Sequence, residues 1–180
     1  MIGFTNQTPP GTLRCRDYSR FVFVTEGIMT RSMRRKHVLC IIDMQSPKTA
    51  WPGLVDNIIR EVAAAKKRRA HIIVVEYNTP ETTAEIIKAI GRAHYSKVVK
   101  RDIDGSRIVL ETLKKEQIDP KEVLVCGQST RCCVLATLKG LRKALTPEKV
   151  TVVPDATFPE AWKEDFVDEP TLRQKVKANV

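Results

Sequence analysis

The chain has 180 residues, 42% of them apolar, and a formal net charge of +10. That length suits one α/β domain with a substantial core, since domains commonly run about 100 to 200 residues. No uninterrupted apolar run approaches the roughly 20 residues a bilayer span needs, and the N-terminus lacks the pattern of a secretory signal, so a cytoplasmic location and no membrane partner are expected.

Residues 1 to 36 form an N-terminal extension to a domain expected over 37 to 180. The extension has Thr-Pro-Pro-Gly at 8 to 11, little periodicity and one isolated apolar stretch, Phe21-Val22-Phe23-Val24. Seven Lys/Arg against Asp17 and Glu26 give it a net +5, half of the total charge. It reads equally as an extra edge strand, an Arg-rich targeting segment, or sequence upstream of a start at Met29 or Met33. The other basic residues are scattered over helix faces, as in Ala65-Lys66-Lys67-Arg68-Arg69, where a solvated helix end accounts for them. Nucleic acid is therefore disfavoured as a partner.

From His37 short apolar runs of strand length alternate with amphipathic stretches, the pattern of parallel strands joined by crossover helices. Five strands are predicted: Val38 to Asp43, Ile72 to Tyr77, Lys97 to Lys100, Val123 to Cys126 and Val150 to Val153. Their Val and Ile content is that of strands covered by helices on both faces. Between them Leu54, Val55, Ile58, Ile59 and Val62 recur at helical spacing, then Ile86, Ile87 and Ile90, then Ile108, Val109 and Leu113, then Val134, Leu135, Leu138 and Leu141. Each set makes one apolar stripe, so four helices follow. Asp119-Pro120 and Thr146-Pro147 end the third and fourth helices, and Asp104 or Ser106 should cap the start of the third. After Pro154 the tail is Pro- and acid-rich, with one short helix expected at Thr171 to Ala178. The fold class is α/β: a three-layer sandwich around a mostly parallel sheet of five or six strands, with ligands at the carboxyl ends of the strands.

That rule directs attention to the strand ends. Asp43 closes the first strand and Lys100 the third. The fourth runs into Gly127-Gln128-Ser129-Thr130-Arg131-Cys132-Cys133 at a helix start. Taken singly, each has an ordinary explanation: a turn-forming Asp, a solvated Lys, a small-residue turn used for packing. Together they bring an acid, an amine and a thiol to one edge. A thiol at a helix N-terminus beside Lys100 is expected to have a lowered pKa, with Asp43 to accept and return its proton.

The order and context of these residues resemble the isochorismatase-like cysteine hydrolases. Val38-Leu39-Cys40-Ile41-Ile42-Asp43-Met44-Gln45 is similar to that family's opening strand with its Asp-x-Gln. Val98-Val99-Lys100 is similar to its lysine strand, and Val125 to Thr137 carries its G-x-x-T-x-x-C-V turn and helix. The resemblance covers about residues 37 to 156 and implies a Rossmann-type fold with Asp43, Lys100 and Cys133 as a catalytic triad. It selects Cys133 over Cys132 as nucleophile, with Cys132 turned toward neighbouring structure. It further implies a cis peptide at Gln128-Ser129, an oxyanion hole from the N–H groups of Ser129 and Cys133, a structural role for Asp155, and a homo-oligomer. Amide hydrolysis through a thioester is the implied reaction on a small-molecule substrate, with Trp51 and Tyr77 as candidate substrate-binding residues. All five cysteines (Cys15, Cys40, Cys126, Cys132 and Cys133) are expected to be free thiols.

Two departures bear on the chemistry. Metal-binding relatives place an aspartate and histidines after the first and second strands, whereas here Ser46 to Trp51 and Glu76-Tyr77-Asn78 contain no His and no further Asp. No metal and no other cofactor is expected. Gln128, Arg131 and the short loops are atypical, which keeps open a catalytically idle binding protein of the same fold. The basic extension keeps open a nucleic-acid-associated protein.

Overall fold

The computed structural model describes residues 36–45, 53–78 and 81–158. The expectations for residues 1 to 35, for Trp51 and for the helix at Thr171 to Ala178 lie outside them.

Five strands, β1 (His37–Ile42), β2 (His71–Tyr77), β3 (Tyr95–Lys100), β4 (Glu122–Gln128) and β5 (Val150–Phe158), form one sheet in the order β3-β2-β1-β4-β5. Every neighbouring pair is parallel. Between them run α1 (Leu54–Lys67), α2 (Ala84–Ile90), α3 (Ser106–Lys115) and α4 (Leu135–Ala144). Helices on both sides make the predicted three-layer sandwich. None of the described helices is long and apolar enough to cross a membrane.

The two-residue period of a strand divides the core into two layers. Val38, Cys40 and Ile42 of β1 join Ile73, Val75, Val123 and Val125 beneath Val109, Leu113, Leu138 and Leu141 of α3 and α4. Leu39 and Ile41 face the other way, with Ile72 and Val74, onto Leu54, Ile58 and Val62 of α1 and Ile86 and Ile90 of α2. In α1 the buried residues Leu54, Ile58, Val62 and Ala65 lie along one stripe, with Asp56 in the first turn and Lys66 and Lys67 in the last, as the helix dipole favours.

Three expectations need correction. β3 is not covered on both faces: α2 packs against α1, and Tyr95 and Val99 stand 37% and 50% exposed on this edge strand. β5 does not end at Val153. It bulges between Val152 and Thr157, then pairs Thr157 with Gly127 and Phe158 with Gln128. The third helix is capped from one position earlier than a true N-cap: Asp104 Oδ1 accepts the Ser106 N–H at 2.7 Å, while Gly105 holds the cap position.

The strand order starts in the middle of the sheet, runs out through β2 to β3, and restarts at β4 on the other side of β1. The switch point therefore lies between the carboxyl ends of β1 and β4, where open α/β sheets place their ligands.

Candidate active site

Asp43 follows the last paired residue of β1. Its N–H still donates to Val75 O at 2.9 Å, but its φ of 55° turns the chain out of the sheet. Asp tolerates that left-handed geometry better than the β-branched residues before it would. The side chain is nearly buried, with Oδ2 3.1 Å from Lys100 Nζ. Oδ1 is buried without a conventional hydrogen bond among the described residues.

Lys100 ends β3, two strands away from β1, or about 10 Å across the sheet. Its long stem covers that gap beneath Tyr77, whose ring centroid lies 5.2 Å from Nζ. The ammonium has three donors and three oxygen partners: Asp43 Oδ2, Asp102 O at 3.1 Å and Ile103 O at 2.9 Å. A buried cation persists only when paired in this way.

The turn after β4 carries the thiol. Gly127 has φ 128°, and a Cβ there would lie 2.1 Å from Ile42 O, so only glycine lets β4 pass so close to β1. Ser129 adopts the left-handed conformation, φ 67°, and begins a π-helical turn, Thr130–Val134, continuous with α4. The Ser129 carbonyl accepts the N–H of Cys132 at 3.0 Å and of Val134 at 3.2 Å, passing over Cys133 between them. Single π turns of this kind recur at functional sites.

Cys133 is half-buried, with its thiol interacting with both Asp43 and Lys100. Its pKa is pushed up to about 12, first by burial, then by the hydrogen bond to and charge of Asp43, with Lys100 opposing. The expected lowering is thereby overturned. Lys100 acts in the anticipated direction, but it is neutralised at 3.1 Å by the same carboxylate that accepts the thiol's hydrogen bond. Cys132 also departs from expectation, since it faces solvent instead of neighbouring structure. Cys40 and Cys126 are fully buried, which raises both thiols, Cys40 to about 12.

Tyr77 is 41% exposed and lines the edge beside Lys100. Asp155 offers its backbone carbonyl to the Asn57 amide. Sequence reading passed over Gln45, whose carboxamide donates to Tyr77 O at 2.9 Å and accepts the Tyr77 N–H, replacing a ladder residue where β1 has already turned away. The signal was the Asp-x-Gln itself. It also passed over Glu76, a buried carboxylate following the apolar run Ile72 to Val75 of β2, which accepts the N–H and hydroxyl of Thr82 at 2.8 Å each and pairs with Lys97 at 3.5 Å. Thr83 in turn donates its N–H and hydroxyl to Met44 O, so the loops after β1 and β2 are tied together.

These residues do not fit a metal. Asp43 is committed to Lys100, Glu76 to Thr82 and Lys97, and His37 and His71 open their strands at the opposite edge, bound to Glu122 and Ser96. No group of three or more His, Cys, Asp or Glu with ligand geometry occurs among the described residues.

The isochorismatase domain profile matches residues 37–159. No curated protein matches the chain. Solved structures of similar fold include a ribonuclease from Caenorhabditis elegans (20% identity, TM-score 0.60, covering 79% of this chain and 74% of that one). They also include N-carbamoylsarcosine amidase from Thermoplasma acidophilum (17% identity, TM-score 0.60, 74% and 92% covered). A third is a nicotinamidase from Staphylococcus aureus (14% identity, TM-score 0.60, 76% and 96% covered). At these identities the likeness is one of fold, and the profile match, which spans most of the chain, decides the assignment: the protein belongs to the isochorismatase family.

Proposed function

We propose that the protein is a metal-independent cysteine hydrolase that cleaves a small amide-like C–N bond through a thioester on Cys133. The observation that carries this reading is a thiol shared between a carboxylate and an ammonium that are themselves paired, at the switch point of the sheet. Hydrolysis agrees with the family, and cleavage of C–N bonds with the amidase and nicotinamidase names of two proteins of the same fold.

With its pKa near 12 the resting thiol is neutral, so it loses its proton only as the reaction proceeds. Asp43 takes the proton while Sγ attacks the carbonyl carbon. The C–S bond forms and the carbonyl π pair moves onto oxygen, toward the N–H groups of Ser129 and Cys133. The C–N bond then breaks, and Asp43 returns the proton to the departing nitrogen. Water deprotonated by Asp43 next attacks the thioester, the C–S bond breaks, and the proton passes back to Sγ, leaving a carboxylic acid. Lys100, with its donors engaged, is a fixed positive charge that compensates Asp43 and the developing oxyanion.

Intact-mass analysis after incubation with a panel of small amides tests this. An acyl adduct on the native chain, absent from Cys133→Ser, is expected; hydrolysis that survives Cys133→Ser would exclude the thioester route.

A further inference from the structure

The geometry around Lys100 raises a question that the triad does not answer: what holds the turn whose carbonyls receive its ammonium. Asp102 O and Ile103 O, two of the three acceptors, belong to a solvent-exposed turn between β3 and α3. Exposed carbonyls at such a turn ordinarily find water, and do not by themselves hold a buried charge in place.

The turn is anchored from α4. The Gly105 N–H donates to Thr137 Oγ1 at 2.9 Å, and Thr137 is completely buried. Thr137 lies four residues, one helical turn, after Cys133, and so on the same side of the nucleophile's helix. The contact is also close. A Cβ at Gly105 would meet Thr137 Oγ1 at 3.1 Å, the Lys100 side chain at 3.2 Å and Val75 at 3.3 Å. Backbone, lysine stem and threonine hydroxyl therefore occupy one packed cluster, and Gly140 one turn further along α4 closes on Ser106 and Asp104 in the same manner.

We propose that Thr137 is a positioning residue for this site: its hydroxyl fixes the Asp102–Gly105 turn to the helix of Cys133, and the turn's carbonyls thereby set the Lys100 ammonium against Asp43 and the thiol. The charged groups acting on Cys133 are Asp43 from the end of β1 and Lys100 from the end of β3, with Tyr77 of β2 over the ammonium. Loosening the turn lets Lys100 follow its two carbonyls outward while Asp43 stays. The thiol then loses the influence that favours its ionisation and keeps those that oppose it. This inference rests on the proposed role of Cys133, but its readout does not require turnover.

The test is the rate of iodoacetamide alkylation of Cys133 between pH 8 and 10.5, in a Cys132→Ser background that removes the exposed neighbouring thiol. Thr137→Val and Thr137→Ala both delete the acceptor, Thr137→Ser retains it, and Thr112→Val serves as control. Thr112 is another buried threonine, bonded to Ile108 O within α3 and away from Lys100. Alkylation should slow roughly three- to tenfold in the Val or Ala variant, whichever folds, its pH profile should move to higher pH, and Ser should restore the rate. Unchanged profiles in Val and Ala, or an equal shift in Thr112→Val, would overturn the proposal. If the shift occurs but no amide acylates the wild-type chain, the hydrolase reading fails and the positioning role stands. If amides do acylate it and Thr137→Val titrates as wild type, the positioning role fails alone.

Discussion

Replacing Asp43 with Asn should move hydrolysis and thiol reactivity in opposite directions. Asn keeps the shape of the side chain and tolerates the left-handed backbone at this position, so the substitution isolates the charge. A thiol at about 12 instead of its ordinary 9.0 has, at pH 8, roughly a thousandfold less thiolate. Burial, the largest cause, persists in the variant, and the amide oxygen can still accept the thiol's hydrogen bond, but the negative charge of Asp43 vanishes and the Lys100 contribution is no longer opposed by it. Part of the lost thiolate should therefore return, and alkylation of Cys133 by iodoacetamide in a Cys132→Ser background should accelerate about tenfold or more. Loss of the proton acceptor should meanwhile lower turnover by about a hundred- to ten-thousandfold. Stopped-time alkylation followed by peptide mass spectrometry, with turnover measured on the amide that acylates the wild type, reads both. Slower or unchanged alkylation would refute the proposed control of the thiol by Asp43. Turnover within tenfold of wild type would refute its role as base.

Lys100→Met strands a nearly buried Asp43 carboxylate and should destabilise the fold by about 3 to 5 kcal/mol in urea unfolding, partly recovered in the double variant with Asp43→Asn; a loss under about 1 kcal/mol would contradict the tight pairing. Gly127→Ala drives a Cβ to 2.1 Å from Ile42 O and should yield insoluble or grossly destabilised protein, whereas Gly53→Ala, with nothing within 4 Å, should cost only backbone strain of about 1 to 2 kcal/mol. Alkali should weaken the fold through the buried thiols. Cys40 is raised from 9.0 to about 12 in the folded chain, so its contribution is complete below pH 9 and is lost as pH rises from 9 through 12, by at most about 4 kcal/mol. Urea midpoints from pH 8 to 11 should fall less steeply in Cys40→Ala than in the native chain, and equal slopes would assign the loss to other groups.

The order of strands and helices was legible because both faces of β1, β2 and β4 are largely buried, which leaves continuous apolar runs, rich in Val and Ile, of the kind a covered parallel strand carries. Legible too was the meeting of Asp43, Lys100 and Cys133, since strand ends in a parallel sheet share one edge. The course of β5 was hidden by Pro154-Asp155, which look like a strand's end but occupy a bulge after which pairing resumes beside the β4 turn. The open face of β3 was hidden because its exposure depends on α2, a seven-residue helix too short to lie across it and already packed on α1.

The ionisation of Cys133 belongs to a different order of difficulty. A cation beside a helix-terminal thiol is a sound reason to expect a thiolate, and Lys100 does favour one. What reverses the outcome is that the cation lies 3.1 Å from a carboxylate which also accepts the thiol proton, so the field of the pair at sulfur is a small difference between opposing charges, and burial then decides its sign. Residue spacing specifies which groups meet; it does not specify distances to within the fraction of an ångström on which that difference turns. A neutral thiol held against a carboxylate nevertheless suits a hydrolase that must remain unreactive toward adventitious electrophiles, because in the proposed mechanism the proton leaves only when a carbonyl carbon is in place to accept the sulfur lone pair. On this argument Asp43 adds to the low resting reactivity that burial imposes on Cys133 and also serves the catalysis proposed for it, and removing that residue should separate the two.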